Sequence, residues 1–477
     1  MNVMNLLENV PVKSVLHFAE VEIEKVTADS RDVVKNTLFV CLSGGKADGH
    51  EFAKEARENG AVCIVTERPL EVDLPQFVVD NSREALALIA GNYYSHPADK
   101  MKIITIVGTN GKTSTADILS EVFLAVGHRA ATIGTLGYKL GRERATGNLT
   151  TPDPLELHRH LAEFYEKGAE FVFIEASAHA IYYDKLAGIR ANATVFTNIT
   201  QDHLDFFRDM NEYAETKLSY FSPTNTALAV VNSDDVYGRR LIAERKVPTI
   251  SYGTENPADV FAIDIEEDEG GLSFTVNAFD RIERIVSPLH GRFNVYNLMA
   301  AISTAMYFGI DLPRIAKALE RLPIVPGRYQ VYAIKGRKII VDFAHTPDGM
   351  ENLLGDLFRR KAGGILTVFG CGGNRDRLKR PLMGSIAAKY SDLVIVTSDN
   401  PRDEEASEIA GEIVRGMPED TDCEIVTDRE KAIRRAFDLS SEGDTIVIAG
   451  KGHETYMEIK GQKIPYSDVA VLEKLSR

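Results

Sequence analysis

Apolar residues along this chain come in two rhythms. Short unbroken runs rich in Val, Ile, Phe and Thr alternate with longer stretches whose apolar positions recur every three or four residues. In the first part, "TLFVCLS" (37–43), "AVCIVTE" (61–67) and "QFVVD" (76–80) read as buried strands with helix-like stretches between them. Then "KIITIVGTNGKTSTADILSEVFLAVG" (102–127) reads as a strand, a glycine turn and an amphipathic helix. Further strand-like runs are "EFVFIEA" (170–176), "ATVFTNIT" (193–200) and "TALAVVNS" (226–233). A last series, "RKIIVDFAH" (337–345), "GILTVFGCGG" (364–373), "SDLVIVTSD" (391–399) and "DTIVIAGKG" (444–452), also alternates with helices. This alternation predicts an α/β fold with mostly parallel sheets. Polar breaks at "SHPADKM" (95–101) and "LPIVPGRYQ" (322–330) divide the chain into three expected domains, 1–97, 98–328 and 329–477.

Composition narrows the class without changing the fold. The chain has 477 residues, 44% hydrophobic and 26% charged, ample for several cores. A net charge of −15 argues against nucleic-acid binding, which needs a basic footprint. Cys41, Cys63, Cys371 and Cys423 are far apart, so neither a zinc site nor a disulfide framework is expected. The start "MNVMNLLENV" has no basic segment before its apolar residues, and no apolar run approaches a membrane span. A soluble cytoplasmic protein is the expectation.

Two segments carry chemistry on their own residues. In "VGTNGKTST", Gly108 and Gly111 let backbone N–H groups turn inward around an anion, Thr109 and Asn110 lying between them. Lys112 reaches outer phosphates, the Thr113 hydroxyl suits Mg²⁺, and Ser114 continues into the helix. Ile106 stands where the longer phosphate-loop pattern has its first glycine, so this is the short G-T-N-G-K-T form. In "NEYAETKLSYF", Tyr213, Lys217 and Phe221 share one helix face. That spacing by itself favours a lysine stem lying over apolar neighbours with its ammonium in water; a partly buried amine of lowered pKa is the other arrangement it allows. A third segment, "TSDNPRDEE" (397–405), poses a question. Turn chemistry accounts for Asn400 and Pro401 but not for Arg402; the three acids after it read as a solvated helix start.

The short G-T-N-G-K-T loop is similar to that of the Mur ligases and the folylpolyglutamate synthases, which activate a carboxylate with ATP and join it to an amine. Nine further segments, "DSRDVVKNTLFVCLSGGKADGHEF", "LTTPDP", "FTNITQDHLDF", "GRFNVYN", "VPGRYQ", "VDFAHTPDGM", "FGCGGNRDRLKRPLM", "TSDNPR" and "AGKGHETY", resemble in order the motifs of the tripeptide-synthetase branch of the Mur ligases, from about residue 26 to 470. The resemblance implies three domains: a UDP-N-acetylmuramoyl-binding unit, an ATP-binding P-loop unit, and a Rossmann-like unit for the amino acid. It implies addition of meso-diaminopimelate to UDP-N-acetylmuramoyl-L-Ala-D-Glu through an acyl phosphate, with ATP as co-substrate, Mg²⁺, and a monomer.

The same resemblance implies residue roles. Thr113 would hold one Mg²⁺; Glu175, His203 and Lys217, as a carbamate, a second. Lys112, Glu175, His203 and Lys217 form the implied catalytic set. Asn294, Arg328 and His345 would lie near ATP with residues 108–114, although Asn294 also fits a helix N-cap. Ser30, Gly45, Lys46, Ala47, Asn148, Thr150, Thr151 and Ser177 match positions that bind the UDP-linked dipeptide. Tyr183 and Lys185 stand where Gln and Arg are usual, and Ala178 where a second serine is usual; Lys185 keeps the charge but loses the bidentate fork. For the amine, the family positions are Arg375, the run Asp399, Asn400, Pro401, Arg402, Gly450 and Glu454: Arg375 and Arg402 would grip the distal carboxylate, Glu454 would take the ammonium, and Gly450 leaves room for backbone contact. L-Lysine lacks that carboxylate. The alternatives are a paralogue using L-lysine or an altered precursor, a folylpolyglutamate synthase-like ligase, and a P-loop ATPase or kinase without ligation.

Overall fold

Each unbroken apolar run forms a strand buried on both faces, as Lys102–Val107, Phe171–Ala176 and Ala193–Phe196 illustrate. The computed structural model describes residues 1–44 and 47–476. Gly45 and Lys46, assigned above to precursor binding, lie outside the described residues.

Three α/β domains follow one another. The first carries a five-stranded sheet in the spatial order Val12–Leu16, Gln76–Val79, Ala61–Thr66, Thr37–Val40, Lys25–Thr27; only the outermost strand, Val12–Leu16, runs antiparallel. The second is built on an eleven-stranded sheet. Its parallel heart runs Thr249–Gly253, Ala229–Asn232, Ala193–Phe196, Lys102–Val107, Phe171–Ala176, Ala130–Gly134. Helices Lys112–Ala125 and Phe293–Tyr307 cover one face through Ile118, Leu119, Leu298 and Met299. Pro154–Glu166 and Met210–Ser219 cover the other through Leu157, Leu161, Ala214 and Leu218.

The third domain holds six strands in the order Gln330–Ile334, Arg337–Asp342, Thr445–Ala449, Ile365–Phe369, Leu393–Val396, Cys423–Ile425. Three successive crossovers advance in one direction, and the fourth returns. Crossovers of one hand therefore put helices on both faces. Pro347–Arg359, Lys379–Tyr390 and Ala406–Val414 share one core through Leu353, Met383 and Ile409. Arg429–Leu439 and Asp468–Ser476 share the other through Ile433 and Leu472.

Several antiparallel elements go beyond the sequence reading. Val260–Asp268, Gly271–Ala278 and Arg281–Ser287 form a meander on one edge of the central sheet, and Gly137–Leu140 pairs with Glu143–Ala145 on the other. Burial in the meander alternates or is low, as in Arg281–Ser287, and Gly137–Leu140, though mostly buried, carries Gly and Lys, so none of them shows the continuous apolar run that marks a buried parallel strand. All four cysteines are free, as expected. Among the described residues no helix is long and apolar enough to cross a membrane.

Candidate active site

The site grows from the carboxyl ends of adjacent parallel strands, where open α/β sheets leave a crevice. The strand Lys102–Val107 runs into loop 108–111, and helix Lys112–Ala125 follows directly. The loop is held from below by the segment after strand Ala193–Phe196. The Thr109 amide donates to the Asn198 carbonyl (2.8 Å), the Asn110 amide to Asn198 Oδ1 (2.9 Å), and Thr197 Oγ1 to the Asn110 carbonyl (2.7 Å). Glycine is required twice. A Cβ on Gly108 would sit 1.9 Å from Thr197 Oγ1, and Gly111, at φ +86°, would press one against Asn297 Oδ1 at 2.5 Å.

Two amines converge on this loop. Lys112 Nζ donates to the carbonyls of Gly108 (2.9 Å) and Thr109 (2.8 Å), and Lys217 Nζ donates to the same Gly108 carbonyl at 2.6 Å. Lys217 is 1% exposed and has no carboxylate at ion-pair distance among the described residues. Burial, then the neighbouring Lys112, pushes its pKa well below the ordinary lysine value. The ammonium therefore does not reach water over its apolar neighbours, one of the two arrangements the spacing allowed. Tyr213 and Phe221 are equally buried, but the helix ends at Ser219, so Phe221 meets them from the turn beyond it.

Oxygen ligands gather beside the two amines. Glu175, next to last in strand Phe171–Ala176, accepts from Thr113 Oγ1 (3.0 Å), the Thr135 amide (2.9 Å) and Thr135 Oγ1 (3.0 Å). His203 lies in the loop after Ala193–Phe196 at φ +57°, 3.4 Å from Asp202. Burial is the first cause that holds its imidazole neutral, with a pKa pushed down to about 3 against the pull of Asp202. Among the described residues no three His, Cys, Asp or Glu side chains form a ready metal cluster.

The third domain closes over this loop. Arg328 Nη2 donates to Thr113 Oγ1 at 3.0 Å, and its guanidinium stacks 4.5 Å over the Phe343 ring. Asn110 Nδ2 donates to Asp348 (2.7 Å), Gln201 Nε2 to Asp376 (3.2 Å), and Lys379 pairs with buried Asp202 at 3.3 Å. His345 places Nδ1 2.8 Å from the Phe343 carbonyl and Nε2 3.9 Å from Asp202. Asn294 is not the N-cap of helix Phe293–Tyr307, which Arg292 supplies. Its amide reaches back to the His290 carbonyl at 2.6 Å, and its oxygen accepts from Asn297, which touches Thr115 of the phosphate-loop helix. Ser114 is buried at the start of that helix.

On the other side of Glu175, Thr151 Oγ1 donates to the Glu175 carbonyl (2.7 Å) and lies 3.2 Å from Ser177 Oγ; Thr150 and Thr135 hydroxyls meet at 3.1 Å. Lys185 pairs with Asp153 at 2.8 Å, and Tyr183 carries the Arg83 guanidinium on its ring at 4.2 Å. Ala178, at the first position of the short helix after Ser177, is buried. Asn148 and Ala47 are exposed. Ser30 sits in a short turn of the first domain, its carbonyl 3.4 Å from Asn59 Nδ2, and among the described residues no hydrogen bond ties it to the phosphate loop.

The amine-side candidates come from the carboxyl ends of three neighbouring strands, Ile365–Phe369, Leu393–Val396 and Thr445–Ala449. A Cβ on Gly372 would meet Arg402 Nη1 at 2.9 Å and Arg375 Cγ at 3.5 Å, so the two arginines flank one backbone gap. Arg402 has φ +52°, and its backbone bonds Glu458 and Lys460 of the hairpin Tyr456–Pro465. Its Nε pairs with Glu458 at 3.0 Å and its Nη1 donates to the Gly373 carbonyl at 2.8 Å. Glu454 accepts from Lys451 (2.6 Å) and Asn400 (2.9 Å). The Asp399 carboxylate accepts from the Asn400 amide, and a Cβ on Gly450 would lie 2.7 Å from it. The Pro401 carbonyl comes so close to Gly373 that a side chain there would clash. The acids after Arg402 are not simply solvated. Glu404 makes a two-point bond with buried Arg380, both contacts 2.8 Å.

Asp202, Lys379, Thr135, Lys451 and Glu458 join the site although sequence reasoning did not single them out. Asp202, Lys379 and Lys451 lie inside quoted motifs, but nothing in a linear pattern says which of several charges turns inward. Thr135 and Glu458 carried no signal.

Two α/β sheets that present their carboxyl ends to each other, one with a phosphate loop, define a multidomain P-loop nucleotide-binding protein. Family models match along the chain: the Mur ligase family catalytic domain over residues 22–94, the Mur ligase middle domain over 106–305, and the Mur ligase glutamate ligase domain over 327–452. The chain belongs to the Mur ligase family. It is 40% identical over 460 residues to the UDP-N-acetylmuramoyl-L-alanyl-D-glutamate–2,6-diaminopimelate ligase of Aquifex aeolicus (96% of this chain, 95% of that protein). It is also 40% identical over 485 residues to the protein of that name from Syntrophomonas wolfei (100% and 99%). A solved structure of a ligase with that name superposes with a TM-score of 0.67 at 32% identity, covering 95% of this chain and 94% of that one.

Proposed function

We propose that this protein is an ATP-dependent carbon–nitrogen ligase that adds meso-diaminopimelate to UDP-N-acetylmuramoyl-L-Ala-D-Glu, releasing ADP and phosphate, in peptidoglycan precursor synthesis. The observation that carries the reading is the meeting of two half-sites. Arg328 and the Asp202–Lys379 pair join the phosphate-loop side, with Glu175, to the third domain, whose Gly372 lies between Arg375 and Arg402. The relatives at 40% identity support the substrate pair.

A D-glutamyl carboxylate oxygen attacks the γ-phosphorus of ATP and ADP leaves, giving an acyl phosphate. The amine of diaminopimelate then adds to the acyl carbon and loses a proton; the tetrahedral intermediate expels phosphate. Loop 108–114 and Arg328 orient the phosphates, which is most of what such a transfer asks of a protein. In this reading Thr150, Thr151, Ser177 and Lys185 would hold the dipeptide end. In this reading Arg402 Nη2 and Arg375 would take the distal carboxylate, and Glu454 the ammonium.

The donor set fits Mg²⁺. The Thr113 hydroxyl is a hard oxygen ligand suited to one ion, and the Glu175 carboxylate, 3.0 Å from it, suits a second together with neutral His203. Glu175 and His203 alone are two ligands. Lys217, a buried low-pKa amine with no acidic partner, would supply the third as a carbamate. Bound there, Mg²⁺ would neutralise charge on the phosphoryl oxygens.

The test is phosphate release by purified protein. It should require the UDP-linked dipeptide and meso-diaminopimelate together, and the product should carry the mass of the tripeptide precursor. Equal phosphate release without an amine overturns the ligase reading, and equal use of L-lysine overturns the choice of amine.

A further inference from the structure

The contact between the first and second domains contains an arginine that no motif singled out. Arg83 lies in the first turn of helix Ser82–Tyr93, whose N-cap Asn81 also donates to Asp184 of the second domain at 2.7 Å. The Arg83 guanidinium lies 4.2 Å over the Tyr183 ring, and its Nη2 donates to the Ser43 carbonyl at 2.6 Å. Among the described residues its Nε and Nη1 have no hydrogen-bond partner, and no carboxylate comes within ion-pair distance. The nearby acid Glu67 is engaged with Ser82 and Ser43 instead. A half-buried guanidinium stacked on an aromatic face is held flat, with its fork fixed in direction. Nothing among the described residues uses its Nε or Nη1.

Its position says what would. Ser43 bridges to Asp48, and the Gly44 amide donates to the Ala47 carbonyl (3.0 Å), while Tyr183 follows the short helix Ala178–Tyr182 capped by Ser177, beside Thr151 and Lys185. Arg83 thus stands between the first-domain turn and the peptide end of the second domain. In a nucleotide-sugar peptide the group between the nucleoside and the sugar is a diphosphate, with two ionised oxygens that match an arginine fork.

We propose that Arg83 is a substrate-binding residue that grips the diphosphate of the UDP-linked precursor, with the Tyr183 ring as the platform that orients it. This rests on the ligase reading above. Tyr183 then has a role in this chain: it builds a guanidinium site shared between the two domains, beside a Lys185 that is itself paired with Asp153.

Calorimetric titration of full-length protein with UDP and with UDP-N-acetylmuramoyl-L-Ala-D-Glu tests this. Arg83→Gln keeps a donor for the Ser43 carbonyl and removes the charge. It should weaken both ligands about tenfold or more, the range of a lost charged hydrogen bond, and leave ATP affinity within about twofold. Arg83→Lys should recover part of the loss. The gap between wild type and Arg83→Gln should shrink as salt is raised, because screening removes the charge advantage; a merely structural tie would leave it constant. Undiminished UDP binding in Arg83→Gln, a loss independent of salt, or an equal loss for ATP overturns the proposal. If wild type binds the UDP-linked dipeptide but joins no amine to it, the ligase reading falls, and the Arg83 comparison still reads by binding. If wild type binds neither UDP ligand, both fall.

Discussion

At the scale of single residues, the buried amine of Lys217 is the most consequential feature. It lies 4.8 Å over the Tyr213 ring, buried, and shares a carbonyl with a second lysine, an arrangement that opposes a charged ammonium. On the proposed carbamate role, Lys217→Ala should lower turnover at least about 10²-fold, the worth of several kcal/mol of charge stabilisation. Short carboxylates added in trans should restore part of it. Full activity in the unrescued variant would remove Lys217 from the chemistry. Arg402 offers a second case. With its Nε on Glu458, it has only part of its fork left for a ligand. Arg402→Ala should raise the KM for diaminopimelate by about 10–100-fold, the range of a lost charged hydrogen bond, and leave that for ATP unchanged. A KM for diaminopimelate unchanged from wild type would reduce Arg402 to a hairpin anchor. The spacing of Tyr213, Lys217 and Phe221 made the shared face legible. It could not tell a snorkelling lysine from a buried one, because that depends on the Gly108 carbonyl 109 residues away.

At the scale of elements, what the sequence made legible follows burial. Strands covered on both faces, such as Ile365–Phe369 and Thr445–Ala449, appear as unbroken apolar runs and stood out. The meander 260–287 mixes Asp, Glu and Arg into its strands because one face is wet, and it passed unread. The segment after Arg402 shows the same limit: three acids in a row look solvated, yet Glu404 bonds Arg380, whose side chain is fully buried. The bond to Arg380 is the first cause that lowers the Glu404 pKa from 4.5 to about 2. The folded state therefore binds this proton less readily than the unfolded chain. The stabilisation is complete above about pH 4.5 and is lost as pH falls through about 2. Glu404→Gln should cost stability at pH 5, and its urea midpoint should approach that of wild type as pH drops toward 2. A constant gap across that range would mean that Glu404 acts by packing rather than by charge.

At the scale of the whole molecule, function depends on how the third domain sits on the second, and one glycine governs that seat. The break at "LPIVPGRYQ" was legible from its prolines. Its contacts were not, because they join residues more than a hundred positions apart, as Arg328 joins Thr113. Gly327 has φ +66°, and a Cβ there would lie 2.1 Å from the His453 amide nitrogen and 2.4 Å from the Gly452 carbonyl carbon. Both are backbone atoms, so neither can swing aside. Gly327→Ala must then strain a left-handed residue and push apart the two segments that carry Arg328 and Glu454. The second domain keeps its own sheet and both its cores, so nucleotide binding to the phosphate loop should survive within a few-fold while turnover falls by about 10² or more, the cost of misplacing reacting groups by an ångström. Small-angle scattering should show a larger radius of gyration for the variant with ADP bound. Wild-type turnover with an unchanged radius would show that the linker yields, and that the two domains find their alignment without Gly327.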